Sequence, residues 1–274
     1  MNASQQPIFA REGEGEETHS LPGIPMERED GQKELVLDDD YWKSAAAGPE
    51  PAKWPSPKGN REPRREFDFE AAPGLPPTER WQALVNSDYR ILELDLFHDV
   101  PLVDLYRLIS SMEEPFAFEL GTDFPKRLDS PEKVYGAAEA FASLIFQGLD
   151  PSANRYQSAE DGQHFAGYAV EALNELVTEL EDQPLGAKTI KIISSSIEKA
   201  LAAEWTITAH ELYLEPAVEL ALRIKTKSFS EKRGDPEASS AGVEYHDVAK
   251  NILHEPERIK ALVRSLAEIN QEES

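Results

Sequence analysis

The chain has 274 residues, no cysteine and a net charge of −24, from 28 Lys and Arg against 52 Asp and Glu. The absence of cysteine excludes disulfides and thiolate metal ligands, so we expect an intracellular protein, cytoplasmic or nuclear. No apolar segment approaches the roughly 20 residues that span a bilayer, so no membrane contact is expected. Nucleic-acid binding by the chain as a whole is disfavoured, because it requires clustered Lys and Arg. A basic protein partner is the simpler expectation.

The N-terminal part has the composition of a chain that does not fold alone. Residues 1–80 hold 11 of the 20 prolines and 7 of the 15 glycines, and their apolar residues are sparse. Proline fixes φ and lacks a donor, so helices and strands cannot run far. Few apolar side chains are present to offset the entropy of ordering. We therefore predict that residues 1–77 form a largely disordered acidic arm.

One segment of this arm, KELVLDDDYWK at residues 33–43, combines aliphatic, acidic and aromatic side chains, and we call it the acidic motif. Tyr and Trp dominate binding hot spots, and aspartates steer a segment toward a basic surface. The motif is therefore predicted to bind a protein and to order on contact. The alternative is that its apolar residues fold back on the protein's own core. The candidate binding residues are Leu35, Val36, Leu37, Asp38, Asp39, Asp40, Tyr41 and Trp42, with Phe67 and Phe69 as a second cluster.

Residues 78–229 are predicted to form a helical domain. Alternating Leu92, Leu94 and Leu96 indicate a strand or an extended connector, and helical spacing of apolar residues begins after Pro101. Residues 116–120, FAFEL, have the composition of one short strand. Whether residues 90–120 are helical, strand-like or mixed is left open. The overall prediction is an all-α domain behind the arm, with at most one short strand pair.

The helices after residue 129 are predicted from capping residues and apolar stripes. Ser130 and Ser158 each stand where an N-cap belongs, and Gly148 stands where the first of these helices would end. The segment from Thr208 to Glu211 resembles a capping box for a later helix. Pro216 lies within that helix, so we expect a kink or two shorter helices there.

The segment RIKTKSFSEKR, Arg223–Arg233, reverses the sign of the chain locally, and we call it the basic run. It predicts a surface for an acidic partner or, more weakly, for a phosphate backbone. The alternative is that Arg223 and Lys225 only offset the dipole of a helix C-terminus. A polar linker is predicted at residues 230–242 and a C-terminal helical module at residues 243–274. The candidate residues for an anionic partner are Arg223, Lys225, Lys227, Lys232 and Arg233.

Catalytic motifs are weak. His210, Glu211 and Glu215 do not have the HExxH spacing that places two imidazoles on one helix face. Glu171, Glu175 and Glu179 recur every four residues without the histidine that di-metal bundles require, which indicates a solvated acidic face. We expect no catalytic residues, no metal site and no cofactor.

An acidic arm with a short apolar and aromatic motif, a central helical region, a polar linker and a small C-terminal helical module resembles a rhabdovirus-type phosphoprotein of negative-strand RNA viruses. The resemblance implies that residues 33–43 keep a nucleoprotein free of RNA. It also implies that residues 243–270 dock on nucleoprotein bound to RNA and link it to the polymerase. In that family the middle region forms oligomers of the chain.

The leading hypothesis is a non-enzymatic adaptor that binds protein partners, most concretely a viral polymerase cofactor and nucleoprotein chaperone. Its partners would be a basic, nucleoprotein-like protein and a polymerase, with nucleic acid reached only indirectly or through the basic run. One alternative is a cellular or phage regulatory scaffold of the same type. The other is an all-α enzyme whose site the sequence does not display. Oligomerisation of the chain is left open.

Overall fold

The computed structural model of the protein describes residues 25–27, 33–35, 66–150, 158–233 and 244–272. Within these ranges the chain forms eight α-helices, three short 3-10 turns and two sheets of two strands each. The prediction of a mostly helical protein with a short strand pair is thereby confirmed. Among the described helices, none has both the length and the hydropathy that crossing a membrane requires.

Two short strands are described in the predicted arm. Strand β1 (Pro25–Glu27) pairs antiparallel with β2 (Lys33–Leu35), and Pro25 stands opposite Leu35. The first three residues of the acidic motif therefore form β2. The rest of the motif, from Val36 to Lys43, lies outside the described residues, as does the remainder of the arm up to residue 65.

The folded part begins at residue 66 rather than at the predicted boundary of residue 78. Phe67 and Ala72 are buried, and a 3-10 turn at Ala72–Gly74 leads into helix α1 (Pro77–Val85). Asp68 supports this segment locally, because its carboxylate accepts hydrogen bonds at 3.0 Å from the backbone N–H groups of both Glu70 and Ala71. The boundary predicted from composition lies too late in the chain, because two buried apolar side chains are enough to dock a short segment on an existing core.

Arg80 in α1 holds this segment in place. Its side chain is only 1% exposed, and its guanidinium lies 2.6 Å from one carboxylate oxygen of Asp99 and 3.1 Å from the other. The bidentate hydrogen bond from Arg80 holds the pKa of Asp99 below its usual range. The same guanidinium donates to backbone carbonyls on both sides of it, those of Ala72, Pro73, Leu75 and Leu96.

A parallel strand pair follows. Strand β3 (Ile91–Glu93) pairs with β4 (Ala117–Glu119), and Leu92 stands opposite Phe118. A 3-10 turn (Leu94–Phe97) and helix α2 (Leu102–Ser110) form the crossover between the two strands. The segment left open in the sequence is therefore mixed. The alternation of leucines marks a strand only at Leu92, because Leu94 and Leu96 already belong to the turn.

The remaining helices are long, and their predicted N-caps are present. Ser130 accepts a hydrogen bond from the backbone N–H of Lys133 at 3.4 Å, and Ser158 accepts one from Asp161 at 3.0 Å. These two contacts confirm the predicted helix starts. The helices are α3 (Pro131–Gly148), α4 (Ala159–Glu179), α5 (Ala187–Ala202), α6 (Ile207–Arg233), α7 (Tyr245–Leu253) and α8 (Pro256–Glu272).

Helix α4 lies between α3 and α6, and glycines allow both contacts to be close. A Cβ at Gly148 would lie 2.2 Å from the carbonyl oxygen of Gly162, so α3 and α4 meet backbone to backbone there. A Cβ at Gly167 would lie 2.3 Å from the ring of Tyr213 in α6. Larger side chains at either position would push neighbouring helices apart, since neither backbone nor a buried ring can yield.

Helix α6 begins at Ile207, so the prediction that Thr208 starts a capping box is wrong. Thr206 takes that position, and its hydroxyl accepts the backbone N–H of Ala209 at 3.4 Å. Pro216 lies inside one helix rather than between two. A proline in a helix interior costs about 3 kcal/mol because it removes one backbone hydrogen bond. The buried neighbours Ala217 and Val218 supply the packing that offsets this cost.

The last two helices pack on the preceding ones. In α5, the hydroxyl of Ser194 donates to the carbonyl of Leu266 in α8 at 3.1 Å, and Glu198 accepts from Asn270 at 2.9 Å. Most of the buried apolar residues, from Phe67 to Ile269, form one cluster. The predicted C-terminal module at residues 243–274 therefore contacts the helical domain directly. The assignment of these residues to a module of their own stays a prediction.

Candidate binding surface

The basic run forms the last three turns of α6 and divides into an outer and an inner face. The outer face carries Lys225, Phe229, Lys232 and Arg233, and we call these four residues the basic stripe. Their spacing of four, three and one places them on one side of a helix. Phe229 is 55% exposed, and the guanidinium carbon of Arg233 lies 4.0 Å from the centroid of its ring. Lys225, Lys232 and Arg233 are all exposed.

Lys227 belongs to the inner face, so the structure corrects its assignment as a residue for an anionic partner. It is 4% exposed, and its ammonium donates to the carbonyls of Leu180, at 3.3 Å, and Gln183, at 2.9 Å. It also donates to the carbonyl of Glu181. These carbonyls follow the C-terminus of α4, where a cation offsets the helix dipole. Burial lowers the pKa of Lys227, and the acidic neighbour Glu231 opposes that shift.

Glu231, which carries the single negative charge of the basic run, also points inward. Its carboxylate accepts the backbone N–H groups of Leu185, at 2.7 Å, and Gly186, at 3.1 Å. Gly186 has a φ of 80°, so this turn before α5 requires glycine. The carboxylate of Glu231 therefore holds this turn from the inner face of the basic run.

Arg223 lies at the contact between α6 and α7. Its guanidinium donates to Glu219 at 2.8 Å and lies 4.6 Å from the ring centroid of Tyr245. Beside it, Nδ1 of His246 lies 2.9 Å from Glu215. Arg223 therefore joins two helices rather than facing a partner. It does not offset a helix C-terminus either, because α6 continues to Arg233.

The second cluster of the arm divides in a similar way. Phe67 is buried, and its ring stacks on Tyr89 with centroids 6.0 Å apart. Phe69 is 41% exposed and meets the rings of Phe67 and Tyr89 edge-on, each at 4.8 Å. Phe67 is thus a core residue, in agreement with the alternative that apolar residues of the arm fold back on the protein's own core. Of the two phenylalanines, only Phe69 is exposed to solvent.

The weak catalytic candidates stay separate. His210 is exposed, and the side chain of Glu211 lies outside the part of the chain that the structure describes. In the ranges that the structure covers, no three His, Cys, Asp or Glu residues converge as metal ligands would. Glu171, Glu175 and Glu179 are exposed residues of α4, and partial burial raises the pKa of the carboxyls of Glu171 and Glu175.

One titratable cluster was not predicted from the sequence. Nδ1 of His164 lies 2.8 Å from the hydroxyl of Tyr213, and the rings of Tyr168 and Trp205 pack against Tyr213 at 5.7 and 5.9 Å. Burial raises the pKa of Tyr213, so its phenol stays protonated at neutral pH. A phenol held neutral in this way is a poor base, and the cluster serves to pack α4 on α6.

Phe229 is the residue of the basic stripe that the sequence analysis did not select. It stands four residues after Lys225 and four before Arg233, so helical spacing could have identified it once α6 was known to reach Arg233. No family model matches the chain, and no curated protein or solved structure matches it. The function is therefore inferred from the residues themselves.

Proposed function

We propose that this protein is a non-enzymatic adaptor of the cytoplasm or the nucleus, and that it binds other proteins through the acidic motif and the basic stripe. The observation that carries the proposal is the exposed ring of Phe229 among three exposed cations. The inner residues of the same three turns are engaged with backbone groups of the core. The outer residues, Lys225, Phe229, Lys232 and Arg233, are instead exposed on the surface of the helix.

The composition of the basic stripe is that of a binding surface. Aromatic residues and arginine are enriched at interfaces and at hot spots, because they bury a large area with little loss of rotamer entropy. The chain carries a net charge of −24, so a compact group of cations on its surface has a strong local contrast in potential. Such a contrast selects partners by charge and speeds their encounter.

The acidic motif supplies the opposite charge. Its three aspartates and its Tyr and Trp suit a basic groove that holds aromatic anchors. The most concrete form of the proposal is a viral polymerase cofactor and nucleoprotein chaperone, in which the motif binds a basic, RNA-binding nucleoprotein. Residues 243–270 would then dock on nucleoprotein that is bound to RNA and link it to a polymerase. Self-association of the chain is compatible with this role.

The test is a pull-down from the native host with the full chain and with a Leu37→Ala, Trp42→Ala double variant. Trp54→Ala is the matched control, because it removes the other tryptophan of the first 65 residues. We expect a basic, RNA-binding protein to be recovered by the wild type and by Trp54→Ala, and to be lost with the double variant. Recovery that is the same with all three proteins would contradict the assignment of the motif.

A further inference from the structure

The basic stripe raises the question of what covers it. Phe229 is 55% exposed. Most other large apolar residues of α6, such as Tyr213 and Ile224, are buried. Lys225 and Arg233 flank it one helical turn away on either side. An occupant that fits this surface must bring several negative charges and an apolar or aromatic side chain within one short segment.

We propose that the occupant is the acidic motif of the same chain, residues 36–42, so that the two binding elements of the adaptor cover each other. This inference rests on the proposed function and adds a self-docking contact to it. The motif offers Asp38, Asp39 and Asp40 to the three cations of the basic stripe. Tyr41 and Trp42 directly follow the aspartates and supply the partner for Phe229. Aromatic pairs of this kind contribute beyond the area that they bury.

The chain between the motif and the folded part is long enough for this contact. Residues 43–65 separate Trp42 from the first residue of the folded part. At about 3.5 Å per residue these 23 positions span at most about 80 Å. A folded part of about 190 residues has a radius of gyration of about 16 Å, hence a diameter near 40 Å. The motif can therefore reach any point on the surface, including the end of α6.

An acidic peptide fits the basic stripe better than a nucleic acid does. Three cations would neutralise only about three phosphates, whereas nucleic-acid affinity grows with each phosphate neutralised. A polyanion would also approach a chain whose remaining charge is strongly negative. One face of the Phe229 ring is already covered by Arg233, which leaves one side for a protein side chain.

While the acidic motif is docked on the basic stripe, neither of these two elements can bind an external partner. A basic partner that takes the motif would expose the basic stripe, and an acidic partner that takes the stripe would release the motif. Each partner would then favour binding of the other. Such coupling follows whenever two ligands compete with the same internal contact.

The contact can be measured with a spin label, because the chain has no cysteine of its own. A nitroxide is attached to Ser44→Cys, two residues after Trp42, in ¹⁵N-labelled full-length protein. We expect it to broaden the backbone amide signals of residues 225–233 at low salt. The broadening should be lost in 1 M salt, where the Debye length falls to about 3 Å from about 10 Å at 0.1 M.

Two sets of variants locate the contact. Phe229→Ala with Lys225→Glu and Arg233→Glu should abolish the broadening, as should changing Asp38, Asp39 and Asp40 to Ser. The matched control is Leu212→Ala with Lys250→Glu, which alters an apolar residue of similar exposure, 51% against 55%, and an exposed lysine beside Glu215, ten residues before Lys225. Broadening that survives the stripe variant, or that never reaches residues 225–233, would overturn the proposal.

A mixed sample separates contacts within one chain from contacts between chains. Spin-labelled chains without ¹⁵N are combined with ¹⁵N-labelled chains without the nitroxide. Broadening of equal strength in this mixture would overturn the proposal in favour of a second copy. Stronger binding of a ten-residue uridine oligonucleotide than of the peptide of residues 33–43 to the aspartate variant would also overturn it. None of these readouts needs an external protein partner, so failure of the adaptor function would be seen separately in the pull-down.

Discussion

Cations serve two different purposes in two regions of this molecule. Arg80 near the N-terminal edge and Lys227 on the inner face of α6 are buried, and each donates to several backbone carbonyls. Lys225 and Arg233 on the outer face of α6 are exposed beside Phe229. The difference shows that the position of a charge relative to a helix face decides its role. Two lysines that are two residues apart in the sequence can therefore act in opposite ways.

The comparison also distinguishes attachment from recognition. A buried cation can bind carbonyls that no helix or sheet uses, and so attach an irregular segment to the core. Removing it leaves several acceptors without water or a donor, which is costly. An exposed cation exchanges its partners with solvent, so its removal changes the stability of the fold little and changes binding more.

The strongest test of attachment is Arg80→Ala. The variant removes a guanidinium that binds four carbonyls and the carboxylate of Asp99. We expect a loss of about 3 to 5 kcal/mol in the free energy of unfolding, measured by urea denaturation. Arg258→Ala is the control, because that arginine forms an exposed pair with Glu255 and should change stability by less than about 1 kcal/mol. Equal effects at both positions would remove the distinction.

A smaller effect is expected from the two neighbouring lysines. Lys227→Met keeps the length of the side chain but loses the donor to three carbonyls after α4, and should cost about 2 to 3 kcal/mol. Lys225→Met, on the exposed face, should stay within about 0.5 kcal/mol of the wild type. The measurement is again urea denaturation of both variants. A loss at Lys225 as large as that at Lys227 would show that the face of the helix does not decide the outcome.

The helices could be predicted from the sequence because their signals are local. Ser130 and Ser158 are N-caps, and a cap depends only on the next three residues. The strand at Leu92 could be indicated by alternation, but its partner at Phe118 is 26 residues away and its pairing depends on α2 between them. Pro216 was expected to kink α6 or to divide it into two helices, and the structure has one helix there.

The binding surface could be predicted only in part. Lys225, Lys232 and Arg233 were selected as a charge run, and they do lie on the surface. Lys227 and Glu231 could not be separated from them, because their acceptors and donors are some 45 residues earlier in the chain. Phe67 was assigned to the arm because composition is a property of a whole segment. It does not reveal that one side chain of the segment packs on a distant residue, here Tyr89.

The smallest change in stability should come from Phe229→Ala, and it is the sharpest test of the outer face. Phe229 is 55% exposed, and the contact of its ring with Arg233 is an exposed cation–π pair worth about 0.5 to 1 kcal/mol. Alanine has the higher helix propensity, which offsets much of that loss, so the free energy of unfolding should change by less than about 0.5 kcal/mol. Ile224→Ala, five residues earlier and fully buried, is the contrasting variant and should cost about 2 to 5 kcal/mol. A loss above about 2 kcal/mol for Phe229→Ala would mean that the ring supports the fold, and the basic stripe could then no longer be assigned to binding alone.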